Sequence, residues 1–154
     1  MLQKRRDLGS IPDGLCATAV AMTKGRAVIK KFNESTGVHE LALPSTAEEA
    51  AAIYGFVTLR IDEKEYTDKY HDVIPAGKKA VAYTLVANNE WATSEFVGEL
   101  VVGDKLCVEY SGEDAGKLKK ASSETALFEV VRTTPAMGGY EDALIDVRVL
   151  PAAV

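Results

Sequence analysis

The sequence predicts a mainly β protein: an antiparallel β-barrel or sandwich with one short helix and an irregular N-terminal arm. Three observations carry that expectation. Short runs rich in β-branched and aromatic residues recur, among them RAVIKKF, FVTLRID, ALFEVVRT and ALIDVRVL. Turn signals separate such runs at roughly eight-to-twelve-residue spacing in the second half of the chain, a spacing that favours hairpins over crossover helices. One segment, PSTAEEAAAIYG, joins a capping residue to a run of helix formers. The 154 residues suit one domain, with an arm over 1–25 and a single β-rich domain over 26–154.

Along the chain, Gly9, Pro12 and Gly14 punctuate the arm, which also carries the basic run Lys4, Arg5, Arg6. Two readings fit it: a frayed end, or a segment that orders on a partner. Its apolar stretch from Leu15 to Met22 is split from the basic start by Gly9, Pro12, Asp13 and Gly14, which is not the layout of an export signal. The strand RAVIKKF is followed by the turn NESTG and by VHELALP. There Val38, Glu40 and Ala42 alternate with His39, Leu41 and Leu43, as in the second half of a hairpin. In the helix, Ser45 is expected to cap, Glu48 to complete a capping box and Gly55 to stop the last turn. FVTLRID alternates Phe56, Thr58 and Arg60 against Val57, Leu59 and Ile61. EKEYTDKYHD is a polar excursion, IPAGK a turn and KAVAYTLVANN a strand. FVGELVVGDKLCVEY is expected as strand, Gly-Asp corner and strand, with SGEDAG as the next turn. ALFEVVRT, the loop TPAMGGYED and ALIDVRVL complete roughly seven to nine strands.

Composition narrows the function. Hydrophobic residues at 47% and charged residues at 27% are ordinary for a globular domain. A net charge of -5 argues against general nucleic-acid binding. No run approaches the roughly 20 apolar residues that cross a bilayer. Cys16 and Cys107 make neither a CxxC pair nor zinc spacing, and are expected as buried thiols rather than a disulfide.

Candidate chemistry falls away motif by motif. SGEDAGKLKKA holds Gly112 and Gly116-Lys117, the outline of a phosphate-binding loop. Three residues separate the glycines instead of four, Leu118 stands where a metal-binding hydroxyl belongs, and Glu113 and Asp114 would repel a phosphate. As a calcium loop it lacks alternating carboxylates and interposes lysines. DEKEYTDKYHD gathers Asp62, Glu63, Glu65, Asp68, His71 and Asp72, but Lys64 and Lys69 interleave and one imidazole is few for zinc. Tyr66 and Tyr70, four apart, fit an anchor to the core or to a partner. The two histidines, His39 and His71, have no nucleophile elbow to serve. Trp91, the single tryptophan, fits either a core position or an interface anchor. The expectation is a non-enzyme with no cofactor and no metal.

One ordered set of features carries a resemblance. A Gly103-Asp104 corner precedes a strand from Leu106 to Tyr110 and a turn from Gly112 to Gly116. A lysine-bearing strand from Lys117 to Ala121 follows, then strands from Leu127 to Val131 and from Val147 to Leu150. This pattern resembles the small capsid decoration (head-stabilising, cement) proteins of tailed bacteriophages, and the first half of the chain is similar in style. The resemblance spans residues 25–154 as a pattern of elements. It implies a structural virion protein, made in the host cytoplasm and seated on the capsid exterior. Such a protein bridges subunits of the major capsid protein, commonly as a homotrimer, without direct contact to nucleic acid or membrane. Under it the interface candidates are Lys4, Arg5, Arg6, Trp91, Tyr66 and Tyr70. Deleting residues 1–14 is then expected to weaken attachment and spare the folded core. Two alternatives stay open: a small-molecule or carbohydrate-binding β-barrel with its pocket at the mouth, and another head-tail component of a phage particle.

Overall fold

The structure, a computed structural model, describes residues 2–6, 8–9, 12–58, 73–136 and 142–154. Among them are thirteen strands and one short α-helix. The strands are β1 (Leu2–Arg6), β2 (Pro12–Thr18), β3 (Met22–Thr23), β4 (Ala27–Asn33), β5 (Val38–Ala42), β6 (Gly55–Thr58) and β7 (Val73–Ile74). The series continues with β8 (Lys79–Thr84), β9 (Glu90–Thr93), β10 (Lys105–Val108), β11 (Leu118–Lys120), β12 (Phe128–Thr134) and β13 (Leu144–Val149). Helix α1 runs over Ala47–Ala51. The chain is therefore mainly β with antiparallel sheets, as its pattern predicts.

The first half closes a barrel in the order β2-β5-β4-β6-β8. All its pairings are antiparallel except β2 with β5. Two-residue periodicity decides what each side chain meets. On β4, Val28 turns inward and is buried with Leu41, Val57, Ala80 and Ala82, which fill the barrel together with Cys16, Met22 and Ile74. Its neighbours Ala27 and Ile29 turn outward, with Phe56 of β6, onto the second sheet.

That second sheet has the order β1-β9-β13-β12-β10-β11. It curls back on itself. The Val97 N–H donates to the Leu118 carbonyl at 2.9 Å, and the Leu118 N–H to the Glu95 carbonyl at 3.0 Å. Because β13 already occupies one edge of β9, β1 and β11 lie along successive parts of the other. β1 thus covers the stretch of seam that β11 leaves open. Besides the core inside the barrel, the two halves share a second core between them. Phe56 lies 5.3 Å from Phe128 and 6.2 Å from Trp91, ring centre to ring centre, and Tyr83 lies 5.2 Å from Trp91. A largely buried Arg26–Glu95 ion pair at 2.9 Å ties the start of β4 to the end of the β9 strand. The Thr93 hydroxyl donates to the Gly25 carbonyl beside it.

Several expectations are corrected. Residues 1–25 do not form an irregular arm set apart from 26–154: β1 joins the second sheet, β2 closes the barrel and β3 pairs with β7. The glycines and Pro12 suggested irregularity, but the backbone groups of 12–17 find partners along β8. The helix cap is one residue later than expected. Thr46 Oγ1 accepts from the Glu49 N–H, and the Glu49 carboxylate accepts from the Ser45 N–H and hydroxyl. The helix also stops at Ala52, before Gly55. Gly55 instead opens β6, where a Cβ would stand 2.1 Å from the Tyr83 carbonyl oxygen. The stretch 96–101 contributes a single bridge at Phe96, not a strand, and β9 was unforeseen. Tyr66, Tyr70 and the acidic cluster around His71 lie outside the described residues.

Candidate functional site

β1 has the features of a recognition element. It is the terminal strand of its sheet, with Leu2 half-buried and Gln3 to Arg6 exposed. Its basic residues divide between the two faces. Lys4 stands opposite Trp91 and places its ammonium 4.6 Å from the Tyr83 ring centre and 5.5 Å from that of Trp91, a cation–π arrangement. Arg5 reaches the other face and donates from Nε to Asp146 at 3.4 Å. Asp146 is buried on β13 and also accepts from Arg132 Nε at 2.7 Å. Arg6 stands opposite Glu90, which accepts from Arg148 Nη2 at 2.9 Å. The outer face of the second sheet is therefore a lattice of guanidinium and carboxylate groups, and β1 extends it with positive charge. What the strand can do chemically is pair its main chain and attract an acidic segment.

Trp91 does not share this exposure. Its side chain is 1% exposed, with the indole N–H buried and without a hydrogen-bond partner among the described residues. The expected interface anchor is a core residue, because inward-facing positions on β9 point to Phe56 and Tyr83. Of the six interface candidates, the structure gathers Lys4, Arg5 and Arg6 on one strand and places Trp91 beneath it.

Two exposed apolar features were missed from sequence. In the corner 97–104, Val101 and Val102 are each 62% exposed. Asp104 holds the corner: its Oδ2 accepts from the Val101 N–H and its Oδ1 meets Lys120 at 2.6 Å. Lys120, then the Val101 N–H, hold its carboxyl below the usual range. An open groove of about 610 Å³ runs beside the corner, between Phe96, Leu100, Pro135 and Leu144. In the β4–β5 hairpin, Phe32 is 57% exposed and its ring meets His39 edge-on at 5.3 Å. The signal was present: these apolar residues sit beside Gly-Asp and Asn-Glu-Ser turn residues, where the chain reverses at the surface.

The glycine-lysine stretch is a shaped turn. The Gly116 N–H donates to the Glu109 carbonyl, the Lys117 N–H to the Asp114 carbonyl, and the Lys117 ammonium meets Asp114 at 2.7 Å. Those groups are engaged within the protein. Cys16 and Cys107 are both buried and unbridged. Burial pushes the Cys107 thiol up, away from thiolate chemistry. Among the described residues, no three His, Cys, Asp or Glu side chains are grouped to hold a metal, and no helix is long and apolar enough to cross a membrane.

These features define a two-part β protein with a packed barrel, a curled sheet and a basic edge strand. Comparison with protein-family models, with curated proteins and with solved structures finds no match to this chain.

Proposed function

We propose that the chain is a structural virion protein. It binds the exterior of a tailed-phage capsid and bridges subunits of the major capsid protein, working as a homotrimer. The observation that carries this reading is β1, a basic strand at the end of its sheet whose exposed side chains extend a charged face. A clamp of this kind works through main-chain pairing and complementary charge rather than reactive groups. Val101 with Val102 in the β9–β10 connection, and Phe32 in the β4–β5 hairpin, supply separate apolar contacts, and a bridge between neighbouring subunits uses more than one such point. The alternative of a small-molecule or carbohydrate-binding barrel draws no support from the barrel interior, which is occupied by side chains such as Met22, Leu41 and Ile74. Sedimentation with assembled phage shells tests the proposal. The protein pellets with shells and not with separated capsid subunits, and elutes as a trimer by light scattering. A monomer that stays in the supernatant of shells would refute it.

A further inference from the structure

We propose that the seam along β9 is a strand-exchange site, and that its second occupant is β1 of another copy of this chain. The use of such exchange in a trimer rests on the capsid-clamp reading, whereas the exchange itself does not.

Three observations carry it. First, little apolar burial holds β1 in place: only Leu2 is half-buried and the other four side chains are exposed. Its polar hold includes the pairing with β9, the Lys4 position over Tyr83 and Trp91, the Arg5 bond to Asp146 and further contacts of Gln3 and Lys4. Bonds of this kind can be remade by any strand of the same sequence, so the exchanged and unexchanged states differ little in contact energy.

Second, the seam is specific for its occupant. It offers a buried carboxylate at Asp146, Glu90 opposite the position of Arg6, and two tilted aromatic rings, Tyr83 and Trp91, for an ammonium. A strand reading Leu-Gln-Lys-Arg-Arg sets Lys4 over the rings and Arg5 on Asp146 and, past a register shift, brings Arg6 opposite Glu90. Charge complementarity therefore selects β1, in cis or in trans, over a neutral or acidic strand. Leaving the seam empty would expose the β9 main chain and the Trp91 side of the core, so departure of one β1 favours arrival of another.

Third, the connection has a hinge position. Leu8 is pinned by its N–H to Asn89 Oδ1 at 2.6 Å, and Gly9 follows with φ +114, a conformation natural to glycine alone. Gly9 is thus a point about which β1 can turn while β2, which closes the barrel, keeps its pairing with β8.

The test mixes two single variants that cannot bridge within one chain. One copy carries Arg6→Cys and the other Glu90→Cys, residues that face each other in register. Under mild oxidation the mixture forms a disulfide-linked heterodimer, faster at high salt because ionic contacts hold β1. The double variant in one chain reports the geometry by closing within a monomer. A double variant that closes, beside a mixture that yields no heterodimer, overturns exchange. Hydrogen exchange on the unmodified protein gives an independent reading. The amides of 2–6 must exchange at least tenfold faster than those of β13, and equal protection overturns the proposal without any variant.

Discussion

At the scale of single residues, the ion pairs differ in what they hold. Glu49 joins α1 to the β4–β5 hairpin through Lys31 at 2.5 Å. The hydrogen bond from Lys31, then the one from the Ser45 N–H, hold its carboxyl down at about 2. Its folded value is thus depressed below the ordinary value of 4.5. The stability it contributes is complete above the ordinary value and is lost as pH falls through about 2. Lys31 is half-exposed, so the contribution is that of a surface pair, up to about 1 kcal/mol. Lys31→Met should flatten this part of the acid limb, measured by urea unfolding at stepped pH, while stability at neutral pH falls only slightly. Phe56 is a different case. It is fully buried and touches both Trp91 and Phe128. Phe56→Ala should cost about 3–5 kcal/mol. Because the two halves share this core, the loss should appear as one shifted transition in both the fluorescence of Trp91 and far-ultraviolet dichroism. Separate transitions would show that the halves unfold independently.

At the scale of elements, the hairpins were legible and the long-range pairings were not. RAVIKKF, NESTG and VHELA announced β4, its turn and β5, because alternation and turn chemistry are local signals. KLCVEY with its glycine turn gave β10 and β11, and the last two runs gave β12 and β13. β9 was missed because EWAT is only four residues long and is held as a strand by β1 and β13, neither of them its neighbour in sequence. The helix end was missed because the demand on Gly55 comes from the Tyr83 backbone on the adjacent strand β8, distant in sequence. The basic run Lys4 to Arg6 was visible as a candidate. Its placement over Trp91 was not, since no local pattern pairs residues 2–6 with 90–93. This changes the meaning of an N-terminal truncation. Residues 12–14 pair with Tyr83, Ala82 and Val81, so deleting 1–14 cuts into a strand that closes the barrel. Deleting residues 2–8 removes β1 alone. The shorter truncation should keep a cooperative transition and expose Trp91, shifting its fluorescence to the red. The longer one should lower the melting temperature markedly further. Equal melting temperatures would show that β2 is dispensable.

At the scale of the whole molecule, a filled barrel, a curled sheet and a shared aromatic core make a body suited to bearing load. Its exposed basic and apolar features lie at the periphery, on β1, at the Val101-Val102 corner and at the Phe32 hairpin. A protein that reinforces a shell needs such a distribution, since each contact is modest and several engaged together give avidity. The most direct measurement of the proposed function is co-sedimentation of the full chain and of its 2–8 deletion with assembled tailed-phage shells. The account predicts that the full chain pellets with assembled shells but not with free capsid subunits, and that the deletion weakens binding at least tenfold while the protein stays folded. A full chain that remains in the supernatant at every shell concentration would contradict it.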